Sequence, residues 1–203
     1  MKKILVIAAA VAAFGAYGSV AQAKGDAAAG KAKSATCAAC HGADGNSVAP
    51  NFPKLAGQGY GYLLKQLHDF KSGARKNATM NGMAAPLSDQ DMQDLAAYFS
   101  EQKTSSGEAD PKLVAEGKKI FMGGNPATGV AACSGCHGPT GAGNPAAKFP
   151  RLGFQHSQYL VTQLKAFRDG QRTNDPGKMM ENVAAKMSDK EIEAVASYIQ
   201  GLH

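Results

Sequence analysis

The 203-residue chain is predicted to be all-α and built as two similar halves. Three observations carry this: apolar residues recur at helical spacing, no convincing strand pattern occurs, and one half of the sequence can be laid on the other. Placing Cys37 on Cys133 brings the halves into register. Phe52-Pro53-Lys54-Leu55 falls on Phe149-Pro150-Arg151-Leu152, Tyr62-Leu63 on Tyr159-Leu160, Gln66-Leu67 on Gln163-Leu164 and Phe70 on Phe167. Gly73, Arg75 and Asn77 meet Gly170, Arg172 and Asn174, and nearer the ends Ser88-Asp89 meets Ser188-Asp189 and Tyr98 meets Tyr198.

Taken in order, residues 1–23 read as an export signal. Lys2 and Lys3 form a charged start, Ile4 to about Ala16 an apolar run, and Ala21-Gln22-Ala23 a small-residue cleavage site. An uncleaved anchor is the alternative, but the run is short of the ~20 apolar residues that span a bilayer. Mature protein would begin at Lys24 in an exported compartment, in a bacterium the periplasm. The first domain is expected over residues 24–103, a linker over 104–110 and the second domain over 111–203. Thr104-Ser105-Ser106-Gly107-Glu108-Ala109-Asp110 has the small, polar, aperiodic composition of a linker. Asp110 is expected to cap a new helix with Pro111 at its first position.

Leu63, Leu67 and Phe70 recur at helical spacing, and Leu160, Leu164 and Phe167 repeat the stripe. The last helix of each half opens with a capping box, Ser88 to Asp91 and Ser188 to Glu191. Met92, Leu95 and Phe99 then form one core face, and Ile192, Val195 and Ile199 the other. Units of roughly 80–90 residues bury too little apolar surface for a comfortable core, so a large apolar cofactor would complete each.

The cysteines name that cofactor. Cys37-Ala-Ala-Cys40-His41 and Cys133-Ser-Gly-Cys136-His137 use all four cysteines, and each has the C-x-x-C-H spacing of covalent haem c attachment. Two thiols one helical turn apart add across the two porphyrin vinyl groups, and the next imidazole faces the iron. Two C-x-x-C pairs also occur in zinc ribbons, but there the pairs lie roughly 15–20 residues apart. A thioredoxin-like redox site would need a βαβ context. Two covalent haem c groups are therefore expected, with His41 and His137 each supplying one axial ligand.

The second ligand decides what each iron does, since a methionine closes the site for electron transfer and an open site invites chemistry. Aligning Ser88 with Ser188 lays Met80 on Met180, eight residues before each serine. No other position is methionine in both halves. Met80 and Met180 are thus the expected distal ligands, with Met83 and Met179 as fallbacks. Met92, Met122 and Met187 are expected to fill core gaps. His68, His156 and His203 have no histidine counterpart in the other half and are expected at the surface, with bis-histidine ligation the alternative.

The formal charge is +6 for the whole chain and +4 without Lys2 and Lys3. Four haem propionates would offset almost all of that excess. With no Trp and no basic run interleaved with aromatics, nucleic-acid binding is not expected. Scattered lysines read as solvated surface, with a role in docking an acidic redox partner as the alternative.

Both haem motifs, the Phe-Pro-Lys/Arg-Leu after each, Met80 and Met180 ahead of Ser-Asp, residues 51–58 and the C-terminal Ser197-Tyr-Ile-Gln-Gly-Leu-His203 together resemble the cytochrome c4 family. The resemblance spans the mature chain. It implies two tandem class I cytochrome c domains related by internal duplication and a pseudo-twofold axis, with haem propionate edges facing each other. It also implies that Pro53 and Pro150 accept a hydrogen bond from the Nδ1–H of the ligating histidines, a tight turn being the plainer reading. Arg75 and Arg172 would pair with propionates or stand exposed. The implied function is a periplasmic carrier of a kind often membrane-associated, with peripheral membrane association as one option for this chain. Its donor would be a respiratory complex such as a cytochrome bc complex, and its acceptor a terminal oxidase. A cytochrome subunit of a dehydrogenase and a dihaem peroxidase-type enzyme are the alternatives. The stretch from Asn77 to Met80 is shorter than that from Asn174 to Met180, so the two distal loops should differ.

Overall fold

The computed structural model describes residues 25–202; the export signal read at residues 1–23 and the last residue, His203, lie outside them. Among the described residues there are ten α-helices and no β-strand, only isolated bridges at Asn125–Val130 and Asn144–Phe149. The first half contains α1 (Ala27–Lys33), α2 (Ala35–His41), α3 (Tyr60–Ser72), α4 (Ala78–Ala84) and α5 (Asp89–Glu101). The second contains α6 (Val114–Gly123), α7 (Ser134–His137), α8 (Ser157–Arg168), α9 (Met179–Ala184) and α10 (Asp189–Gln200). In each half the last helix is the hub: α1 and α3 pack on α5, and α6 and α8 pack on α10.

The hub helices begin where their capping boxes place them. Ser88 Oγ accepts from Asp91 N and Ser188 Oγ from Glu191 N, and each acidic side chain returns to the serine's own backbone amide. The expected apolar faces are buried: Met92, Leu95 and Phe99 on α5, and Ile192, Val195 and Ile199 on α10. Leu63, Phe70, Leu160 and Phe167 are buried too, while Leu67 and Leu164 pack partly buried against the same clusters.

Glycine lets the terminal helices cross. A Cβ on Gly30 of α1 would stand 2.0 Å from Asp94 O of α5, and one on Gly117 of α6 2.2 Å from Ala194 O of α10. The duplicated sequence thus keeps a bare backbone at the same crossing in both halves. The first crossing carries an added polar clamp: Lys33 bridges Asp91 and Asp94, and Asp94 accepts from Asp26 N.

The halves meet across a polar seam with approximate twofold symmetry. Arg75 donates to Gln66 of its own half and to Tyr159 and Gln163 of the other. Arg172 mirrors this, donating to Gln163 of its own half and to Tyr62 and Gln66 across the seam. Each guanidinium lies over a phenylalanine of its own half, 4.7 Å from the Phe70 ring centre and 4.4 Å from that of Phe167. Both arginines are buried, which overturns their reading as exposed. His156 is likewise not a free surface residue: it is half-buried, with Nε2 2.8 Å from Ser47 O of the other half. His68 is exposed as expected.

Two further expectations fail locally. The α-helix after Asp110 starts at Val114. Asp110 does accept from Lys112 N, but Leu113 N bonds back to Asp110 O, so residues 111–113 form a tight turn before the helix. Met122 is 44% exposed because it falls on the outer face of α6, whereas Met92 and Met187 are core as expected. The linker region is tied down along its length. Thr104 donates to Ala56 O, Ser105 N to Asn46, Lys54 Nζ to Ser105 O, Gln200 to Glu108 O, and Asp110 N to Ser197.

Candidate haem-binding sites

The local structure around each C-x-x-C-H motif follows from its helix. In the first half α1 runs through Ser34 almost directly into α2, so Cys37, Cys40 and His41 share one short helix. In the second half a loop separates α6 from the four-residue α7, with Cys133 at its start in helical conformation. Both helices stop immediately after the histidine at a glycine of positive φ, Gly42 (80°) and Gly138 (79°). That conformation strains any residue with a Cβ, so the chain turns away and leaves the imidazole at the helix end.

The four cysteines form no disulfide. Burial pushes the Cys37 thiol pKa up and that of Cys133 to about 11, which disfavours the thiolates that a zinc site needs. Among the described residues, no group of three or more His, Cys, Asp or Glu is placed to hold a metal ion, and the two Cys pairs lie in different halves. The arrangement suits thioether formation and not a shared thiolate site.

His41 and His137 are both buried. Nδ1 of His41 is 2.9 Å from Pro53 O, and Nδ1 of His137 is 2.9 Å from Pro150 O. A carbonyl can only accept, so each ring carries its proton on Nδ1 and keeps a lone pair on Nε2. Burial lowers both histidine pKa values, with the proline hydrogen bonds acting in the opposite direction. The rings of Phe52 and Phe149 lie 6.2 and 6.0 Å away and wall each imidazole on one side.

Met80 and Met180 occupy equivalent places in the first turns of α4 and α9, each half-buried. Met83 and Met179 are 38% and 41% exposed. The turns carrying Met80 and Met180 are capped differently. Met80 N donates to Asn77 Oδ1 at 2.9 Å, while Met180 N donates to Asp175 Oδ2 at 2.7 Å. The longer second loop folds as a 3₁₀ turn at Pro176–Lys178, with Gly177 and Lys178 both at positive φ. This realises the expected difference between the distal loops.

Sequence reasoning did not single out the residues that brace the histidine turns across the seam. Gln155 Oε1 accepts from Lys54 N at 2.8 Å and its Nε2 donates to Lys54 O at 2.9 Å. Gln58 grips Arg151 in the same way, at 3.1 and 2.7 Å. Their matched positions after Leu55 and Leu152 were the available signal.

The Cytochrome c family model matches residues 27–103 and 114–203, once in each half. The chain is 60% identical to cytochrome c4 of Pseudomonas aeruginosa over 185 residues, covering 91% of this chain and 92% of that protein. The chain belongs to the cytochrome c4 family. A crystal structure of reduced recombinant cytochrome c4 from Pseudomonas stutzeri superposes with a TM-score of 0.86 at 58% identity, covering 88% of this chain and 100% of that one. A thiosulfate dehydrogenase electron acceptor of Thiomonas intermedia is 39% identical over 203 residues, covering 98% of this chain and 90% of that protein. Like other cytochromes c4, the chain consists of two class I cytochrome c domains. It carries two covalent haem c groups, haem 1 on Cys37 and Cys40 and haem 2 on Cys133 and Cys136, and is a dihaem electron-transfer cytochrome.

Proposed function

We propose that the chain is a periplasmic two-electron carrier with both irons closed by protein ligands and no substrate chemistry of its own. The carrying observation is the doubled donor set: a buried histidine with Nδ1 committed to a proline carbonyl, and a methionine at the matching place in a helical turn, in both halves. His41 and Met80 would hold the iron of haem 1, and His137 and Met180 that of haem 2. When bound, each haem supplies a one-electron couple. Pro53 and Pro150 fix the histidine tautomer and make each ring a better donor. Methionine suits an iron that keeps both ligands in either oxidation state, which holds reorganisation small. The domains are taken as residues 24–103 and 111–203 joined by 104–110, with the signal removed near Ala23.

Electrons would pass from a respiratory donor such as a cytochrome bc complex towards a terminal oxidase. No helix among the described residues is long and apolar enough to cross a membrane, and with the signal removed membrane association would be peripheral. A second reading places the chain as the electron acceptor of a dehydrogenase. It is favoured by the likeness to the Thiomonas intermedia protein.

Optical spectra of the holoprotein, oxidised and reduced, with and without carbon monoxide, test the closed sites. A weak far-red sulfur-to-iron band scaled to two haems, unchanged by carbon monoxide, is expected. Rapid carbon monoxide binding to one reduced haem would overturn the reading and bring the peroxidase-type alternative forward. Co-purification with a flavin or quinone-binding subunit would favour the dehydrogenase reading.

A further inference from the structure

The glutamines that cross the seam grip the very peptide groups that hold the haem histidines. Pro53 C=O, the partner of His41 Nδ1, and Lys54 N–H, the donor to Gln155 Oε1, belong to one peptide unit. Pro150 C=O and Arg151 N–H form the equivalent unit between His137 and Gln58. All described peptides are trans, so C=O and N–H point to opposite sides of each unit. The result is two continuous chains of hydrogen bonds. One runs from His41 through the Pro53–Lys54 peptide to Gln155, the other from His137 through the Pro150–Arg151 peptide to Gln58. Each begins in one half and ends in the other. Gln58, Gln155 and Lys54 are 6%, 5% and 5% exposed and Arg151 is half-buried, so water competes least in the chain that ends at Gln155.

From this geometry we infer that Gln155 tunes haem 1 and Gln58 tunes haem 2, each acting as a positioning residue for the haem of the opposite half. The inference rests on His41 and His137 being the axial ligands proposed above. An acceptor on the peptide N–H and a donor on its C=O deepen the same resonance form, so each bond strengthens the other. A more negative carbonyl oxygen pulls harder on the histidine Nδ1–H. The ring becomes a stronger donor through Nε2 and favours the oxidised iron. Losing the glutamine acceptor should therefore favour the reduced state, and only in the haem whose histidine it serves. Each domain's potential thereby depends on a side chain that its partner must bring into place.

The test is an NMR-monitored redox titration of holoprotein, following each haem and each histidine Nδ1–H separately. Gln155→Leu keeps the bulk and removes the acceptor for Lys54 N together with the donor to Lys54 O. It is expected to shift the haem 1 equilibrium about threefold towards reduction, ~28 mV at 59 mV per tenfold. The His41 Nδ1–H resonance should move with it, while haem 2 and His137 change by less than a fifth as much. Gln58→Leu must give the mirror result and serves as an independent second variant. Asn174→Ala removes other seam hydrogen bonds, those to Gln66 and Asp69, and should leave both histidine resonances in place. Equal shifts of both haems in Gln155→Leu, or a shifted potential with an unmoved His41 resonance, would overturn the inference in favour of a merely structural seam. If wild-type oxidised protein shows no hyperfine-shifted histidine Nδ1–H, the ligation reading fails first and the inference falls with it.

Discussion

Gly30→Ala sets two familiar effects against each other, and the geometry decides the sign. In an isolated helix the change should stabilise by ~1 kcal/mol, because alanine is the better helix former. Here the new Cβ would stand 2.0 Å from Asp94 O, 2.6 Å from Asp94 C and 2.8 Å from Tyr98 Cβ, whereas ordinary contact begins at 3.4 Å. The first two neighbours are backbone and cannot rotate aside, so α1 must lift off α5. Overpacking of this kind costs about 1–3 kcal/mol, and a clash with backbone belongs at the upper end. The net expectation is a loss of ~2 kcal/mol, which in a domain of this size lowers Tm by roughly 8–16 °C. Thermal unfolding of the holoprotein followed by circular dichroism measures it. Gly117→Ala should behave alike, since its Cβ would meet Ala194 O at 2.2 Å and Tyr198 Cβ at 2.5 Å. Gly82→Ala in α4 is the control: nothing lies within 4 Å of its Cβ, and it should be neutral or stabilising by up to ~1 kcal/mol. If Gly30→Ala melts at or above the wild-type temperature, the close-crossing argument is wrong.

Other perturbations probe the seam, the acid limb and the distal ligands. Gln66→Ala would strip an acceptor from Arg75, Arg172 and Asn174 at once. Arg75 Nη1 would lose its acceptor inside the seam, which should cost about 1–3 kcal/mol, read from urea unfolding. The Lys33 hydrogen bond holds the Asp94 carboxyl below its ordinary pKa. A depressed carboxylate pKa adds stability above the unfolded value near ~4, and that stability disappears as pH falls through the folded value. Asp94→Asn should therefore lower the urea midpoint at pH 7 and flatten its decline below pH 4; an unchanged acid limb would count against the clamp. Met80→Ala should make one reduced haem bind carbon monoxide and remove half of the far-red band, with Met180→Ala doing the same for the other. A full band in either variant would reassign that ligand.

Much of the architecture was legible because duplication printed it twice. Ser88–Asp91 and Ser188–Glu191 are capping boxes whose chemistry is local, and the apolar faces behind them report burial through helical period alone. The haem motifs are equally local, since helix geometry alone brings their two thiols and the imidazole together. Periodicity tells which face is buried and not what it is buried against. Arg75 and Arg172 therefore looked as much like exposed residues as partners of haem propionates, although each finishes over a phenylalanine and across from the other half's glutamine and tyrosine. His156 failed for the same reason, its partner Ser47 lying 109 residues away. The start of α6 was misplaced by a finer effect. Asp110 caps a three-residue turn as readily as a helix, and only the i to i+3 bond from Leu113 distinguishes them.

The stitched strap between the halves has a consequence for how charge moves within the molecule. Its composition is that of a loose tether, yet residues 104–106 are fastened to the first half and residues 108 and 110 to the second. Two domains on a slack tether exchange electrons only when diffusion brings them face to face, and solvent viscosity then slows the exchange. Here the strap is fastened to both halves and buried arginines join them across the seam, so the internal step should be indifferent to added glycerol or sucrose. Viscosity would enter only in the encounters with outside partners.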